Sequence, residues 1–196
     1  MAATPSTMLP LGTQLPVFSL RNVMDGQVVS SSDLPGSAGV VVMFICNHCP
    51  FVKHVLEEIG YLASDYAAHG IAFAAINSND VKRFPDDAPQ RMKELAENRG
   101  WEFPYLFDES QEVAKAFKAA CTPDFFVFDE ERKLVYRGQL DDSRPESEIP
   151  VTGQDLRAAL DALLAGQPIS RDQKPSMGCN IKWKSGNEPD YFGPTP

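Results

Sequence analysis

Six apolar residues, Val40-Val41-Val42-Met43-Phe44-Ile45, run without interruption into Cys46-Asn47-His48-Cys49-Pro50. An apolar run of this length is the pattern of a strand buried on both faces, as in the interior of an α/β sheet. Residues 51–68 then carry apolar side chains at Val52, Val55, Leu56, Ile59, Leu62 and Ala63, which is helical spacing. A C-x-x-C pair therefore falls where strand gives way to helix. The amides and dipole of a helix N-terminus stabilise a thiolate at that point, and the second thiol is near enough to close a disulfide with the first. The spacing predicts Cys46 as the exposed thiol at the helix start. Cys49, one turn in, is expected to be the more buried one.

The 196 residues suffice for one domain with a sizeable core. Acidic residues outnumber basic ones by 27 to 18, a formal charge of -9, which argues against nucleic acid or an anionic membrane surface as partner. Pro5, Pro10 and Pro16 interrupt the N-terminal stretch, which has neither a basic start nor an apolar block. Nothing in it reads as a secretory signal or an anchor, so the expected location is cytoplasmic. The longest apolar run is far short of the roughly 20 residues that cross a bilayer. The four cysteines are Cys46, Cys49, Cys121 and Cys179. In a reducing compartment such thiols are catalytic or metal-binding more often than structural.

Along the chain, residues 17–20 read as a short first strand before the turn Asp25-Gly26. Residues 71–76 form a second apolar strand, followed by the polar turn 77–80. Helices are expected over 88–98, stopped by Gly100, and over 110–120, capped by Asp108 or Ser110. Residues 103–107 are a short extended piece. Residues 125–128 and 134–136 make a hairpin across a charged turn. An amphipathic helix spans 152–165. Residues 1–166 are thus one domain. Residues 167–196 are rich in Pro, Gly, Lys and Asn and lack periodicity, but hold Ile181, Trp183, Tyr191 and Phe192. They are expected as an irregular extension wrapping back onto the domain. Parallel βαβ units followed by a hairpin and a last helix give an α/β three-layer sandwich, a mixed central sheet flanked by helices.

The stretch 40–59 resembles the active-site strand and helix of the thioredoxin-like superfamily. Ala120-Cys121-Thr122-Pro123 before the strand Asp124 to Phe128 resembles its cis-proline loop. Asn77-Ser78-Asn79-Asp80, Phe103-Pro104 and Phe107-Asp108 resemble the inserted region of the redoxin group, which includes the alkyl hydroperoxide reductase and thiol-specific antioxidant relatives. The resemblance spans about residues 11–164. It implies Cys46 as nucleophile, Cys49 as resolving thiol and Pro123 as a cis-proline that, with Thr122, helps dock substrate by β-type pairing. The chain departs from the pattern at Ile45, where a Trp is usual, and at Asn47-His48, where thioredoxin has Gly-Pro. Met43 stands where a peroxiredoxin signature would place Thr.

Thiol–disulfide exchange needs an accessible thiolate and a second thiol to release the mixed disulfide. A protonated His48 would stabilise a neighbouring thiolate and favour the reduced form, giving a potential above the about −270 mV of thioredoxin. Lys53 and His54 either add positive potential or are ordinary surface residues. Cys121 and Cys179 are either further thiols in a relay or packed side chains. A metal held by Cys46, Cys49 and His48 or His54 is the chemical rival, but there is no second C-x-x-C to complete a closed zinc site. No metal and no organic cofactor are expected: the chain has no phosphate loop, dinucleotide fingerprint or nucleophile elbow. The acidic pairs Asp86-Asp87 and Asp141-Asp142 read as solvated loop residues. The leading reading is a thiol–disulfide oxidoreductase acting on protein or small-molecule thiols and disulfides, with a dithiol reductant. The alternatives are a peroxide reductase and a redox-inert binding domain of the same fold.

Overall fold

The structure, a computed structural model, describes residues 3–193. The chain runs β1 (Ala3–Pro5), β2 (Ser19–Asn22), β3 (Val28–Ser30), β4 (Gly39–Phe44), α1 (Pro50–Ala67), β5 (Ile71–Asn77) and α2 (Pro89–Arg99). It continues with β6 (Tyr105–Phe107), α3 (Glu112–Ala116), β7 (Cys121–Thr122), β8 (Asp124–Asp129), β9 (Leu134–Gly138), α4 (Gln154–Leu164) and β10 (Met177–Asn180). A seven-stranded mixed sheet has the order β3-β2-β6-β5-β4-β8-β9, parallel at β4/β5 and β5/β6. This is the expected α/β sandwich.

The apolar run in β4 is central and feeds both faces. Val41, Met43 and Ile45 join one core cluster with α1, α2 and α4, while Val40, Val42 and Phe44 join the other. The alternation is the period of two that a strand imposes on its side chains. The second cluster is closed by α3 together with Leu9, Leu15, Phe18, Ile181 and Trp183 from extended chain. The third layer is thus largely built from segments without regular structure.

Helices α1, α2 and α4 lie close to their expected positions. Gly100 ends α2 in the left-handed region, at φ 62°. The third helix is only Glu112–Ala116, because Lys118 turns to φ 50° and Gln111 to φ 67° at its two ends. The first expected strand is displaced: Val17 is 93% exposed, and pairing with β6 starts at Arg21. The largest correction concerns the C-terminal extension. Residues 177–180 are a strand, β10, sandwiched between β1 and β7 in a separate three-stranded sheet. The short strands β1 and β7 have too few residues to show a period. Among the described residues no helix is long and apolar enough to cross a membrane.

Candidate active site

The chain leaves β4 at Phe44, continues one more pairing step through the Ile45 amide to the Ile76 carbonyl, and then turns through Cys46-Asn47-His48. Cys49 is itself the N-cap residue of α1, with Pro50 in the first helical position where its missing N–H costs nothing. The Thr122–Pro123 peptide bond is cis, as the resemblance implies. Its loop meets both thiols. Cys46 Sγ is 3.4 Å from Thr122 Oγ1, and Cys49 Sγ is 3.2 Å from the Thr122 carbonyl oxygen.

Both sulfurs are closed off from solvent. Cys46 is 1% exposed and Cys49 0%, which overturns the expectation that Cys46 is the exposed thiol. The cause is visible overhead: β10 pairs with β7, placing Cys179 opposite Thr122. The edge expected to receive a substrate strand is taken by the chain itself.

The charge also sits elsewhere than expected. Burial pushes the Cys46 thiol well up, as do its donation to Cys49 and the negative charge of Asp87. Cys49 is lowered to about 5, chiefly by the hydrogen bond from Cys46, with further help from the Cys179 thiol and the Val52 and Cys179 amides. The nearby Thr122 carbonyl favours a thiol over a thiolate at Cys49. Taken together, these groups favour ionisation at Cys49 over Cys46. A thiolate at the N-cap follows from where the helix begins.

The loop between the cysteines is held by a residue that the sequence reading left in solvent. Asp87, on a short 3₁₀ turn before α2, is fully buried. Its Oδ1 accepts the Asn47 and His48 amides at 2.8 and 3.3 Å. Its Oδ2 accepts from Asn79 Nδ2 at 2.7 Å and lies 2.6 Å from His48 Nδ1. The His48 ring stacks on Phe84 at 5.3 Å, and Asn47 Oδ1 accepts from the Tyr105 hydroxyl at 3.1 Å. His48 is therefore a fixed component of the loop. Asp141 is likewise buried, accepting the Thr152, Gly153 and Ser143 amides. The only local sign of a buried site here is the polar run 77–80 after an apolar strand, all four residues of which are buried.

The remaining candidates separate. Lys53 is exposed, and His54 Nε2 lies 3.1 Å from Ser143 Oγ on the α1 flank. Cys121 is fully buried, and its Sγ donates weakly to the Pro123 carbonyl at 3.8 Å. Burial, then the charge of Asp124, holds its thiol well up. Asp124, beside Pro123, is fully buried with neither carboxylate oxygen hydrogen-bonded, and burial drives its carboxyl well above the usual range. Cys46, His48 and Asp87 place ligand atoms within 4.8 Å of one another. Three groups make an open set, and Asp87 already spends its oxygens on four donors.

Residues 11–137 match the AhpC/TSA family. The chain belongs to that family. A crystal structure of an uncharacterized conserved protein from Geobacillus kaustophilus is 61% identical, with a TM-score of 0.92 over 94% of this chain and 97% of that one. A thiol:disulfide interchange protein of the thioredoxin family from Chlorobium tepidum superposes with a TM-score of 0.60 at 21% identity, covering 78% of this chain and 97% of that one. Peroxidoxin BcpB from Mycobacterium tuberculosis gives 0.60 at 21% identity, over 79% and 96%. At such identities the likeness is one of fold. No curated protein matches. The family and the fold are those of redoxin-type oxidoreductases.

Proposed function

We propose that this AhpC/TSA family member is a thiol–disulfide oxidoreductase working through Cys46 and Cys49. The observation that carries the reading is the convergence of both sulfurs on the cis-proline loop, Cys46 Sγ 3.4 Å from Thr122 Oγ1 and Cys49 Sγ 3.2 Å from the Thr122 carbonyl oxygen, with Cys49 at the N-cap of α1 where a thiolate is stabilised. Cys46 attacks one sulfur of a substrate disulfide as its proton passes to Cys49, and the first substrate thiolate leaves. That thiolate takes the proton from Cys49. Cys49 then attacks Cys46, releases the second substrate thiolate and closes the Cys46–Cys49 disulfide. The substrate gains two electrons, and an external dithiol returns the pair to the reduced form. We place this cycle in a reducing, cytoplasmic setting, with thiols and disulfides of proteins or small molecules as partners.

His48 tunes the pair through Asp87. The Asp87 charge raises Cys46, and the His48 ring bonded to it offsets that charge. Burial of both sulfurs favours a second reading, since a peroxide is small enough to reach a closed site where a polypeptide disulfide is not.

A redox titration against glutathione, with disulfides mapped by peptide mass spectrometry, tests the proposal. A Cys46–Cys49 bridge with a potential above about −270 mV is expected, and His48→Gln should move it to a more negative value. No bridge at any poise would end the exchange reading. A bridge whose potential ignores His48→Gln would remove His48 from the mechanism. Oxidation of Cys46 by peroxide faster than by glutathione disulfide would favour the second reading.

A further inference from the structure

The exchange cycle uses two of four buried cysteines, and β10 holds a third against them. Its pairing with β7 sets Cys179 opposite Thr122, the residue whose hydroxyl and carbonyl meet Cys46 and Cys49. Gly178 permits this approach: a Cβ there would lie 2.0 Å from the Thr122 carbonyl oxygen, a backbone atom that has no room to yield. Cys179 and Cys49 lie in the same buried cluster, each against Thr122, and each alters the other's ionisation. The strand is tied on its other side to β1, through Ala3 opposite Cys179. Ile181 and Trp183, just beyond it, are anchored in the second core. The arrangement is that of a substrate strand already in place, with a cysteine at the reacting position.

We propose that Cys179 is a third redox-active residue, which exchanges into the Cys46–Cys49 disulfide to form a Cys49–Cys179 disulfide within the closed site. The inference rests on the exchange reading above, because that cycle supplies the starting disulfide. The Cys179 sulfur attacks Cys49, the Cys49–Cys179 bond forms, and the Cys46–Cys49 bond breaks. The proton of Cys179 ends on Cys46. No electrons enter or leave, so no further oxidant is required. Once Cys49 is in a disulfide it is no longer a thiolate, which removes both of its contributions to holding the Cys179 thiol up near 12, the hydrogen bond and the charge, and leaves burial as the remaining cause. The product keeps the oxidising equivalent, bolts β10 across the cis-proline loop, and leaves Cys46 as a free thiol. Cys121 stands outside this step: its Sγ points to the Pro123 and Ser176 carbonyls.

The test uses the full chain, oxidised with glutathione disulfide to one disulfide per molecule, quenched in acid, alkylated and mapped. Wild type should yield both Cys46–Cys49 and Cys49–Cys179 peptides, with Cys46 alkylated in the second population. Cys46→Ser should close Cys49–Cys179 directly, and Cys121→Ser should change neither bridge. Glutathione retained on Cys49 of Cys46→Ser beside a free Cys179 overturns the inference and leaves the exchange reading standing. Absence of Cys46–Cys49 in wild type overturns both. If Cys46→Ser does not fold, the wild-type map decides alone: single-disulfide protein in which Cys179 is always the alkylated thiol overturns the proposal.

Discussion

Asp87 shows how much of the site rests on a residue remote from the cysteines in sequence. It is fully buried and accepts both amides of the inter-cysteine loop. Burial alone would raise its carboxyl, but hydrogen bonds from His48 and Asn79, with the His48 charge, hold it below its ordinary value. Replacing one member of a buried charge pair leaves the other uncompensated, typically at about 3–5 kcal/mol. Asp87→Asn should lose stability of that order in chemical denaturation. The pH dependence has a definite sign. A carboxylate depressed in the folded state contributes stability that is fully present above its unfolded value of about 3.9 and is lost as pH falls through the folded value. Wild type should therefore lose stability faster than Asp87→Asn as the pH drops below about 4. Equal slopes would show that Asp87 ionises alike in both states. Cys46, Cys49, Thr122 and Pro123 were legible because each lies at a junction that local sequence order marks. Asp87 was not, because an acidic pair after Pro85 reads as a solvated loop until tertiary structure buries one of its members.

At the scale of elements, β10 decides whether the site is open or closed. Its seat depends on Gly178, since a methyl group there would strike the Thr122 carbonyl at 2.0 Å. Gly178→Ala should unseat β10 from β7 while leaving the seven-stranded sheet intact, because among the described residues β10 pairs with β1 and β7 in a separate sheet. Alkylation of Cys49 and Cys179 in the native protein should then accelerate. Where reaction is limited by local opening, every 1.4 kcal/mol lost from the closed form raises the rate about tenfold. An unchanged rate would mean that solvent reaches the sulfurs by another path. The helices were legible from apolar spacing, as α1 with its buried Val52, Val55, Leu56, Ile59 and Leu62 shows. The four-residue β10 was not, since Met177-Gly178-Cys179-Asn180 has no alternation and follows a polar, proline-containing stretch. What makes it a strand is a vacant edge on β7, a property of the folded domain.

For the molecule as a whole, the extension is a structural part of the second core. Trp183 is 4% exposed and Ile181 1%, both packed with Phe117, Phe126 and their neighbours beneath the sheet. These anchors lie immediately after β10, so apolar burial at 181 and 183 is positioned to hold Cys179 over the active site. Truncating a buried Trp to Ala typically loses about 3–5 kcal/mol. Trp183→Ala should fall in that range, whereas Phe192→Ala, at a side chain 43% exposed, should change stability by no more than about 0.5 kcal/mol. The two variants separate anchoring from mere presence of the extension. If β10 is held by the anchor, Trp183→Ala will also speed alkylation of Cys49 in a reducing buffer well below the unfolding midpoint, and Phe192→Ala will not. If Trp183→Ala lowers the midpoint but leaves that rate unchanged, β10 is held by its pairing with β1 and β7 alone. Anchoring through the second core would then be excluded as the means by which the fold keeps its thiols covered.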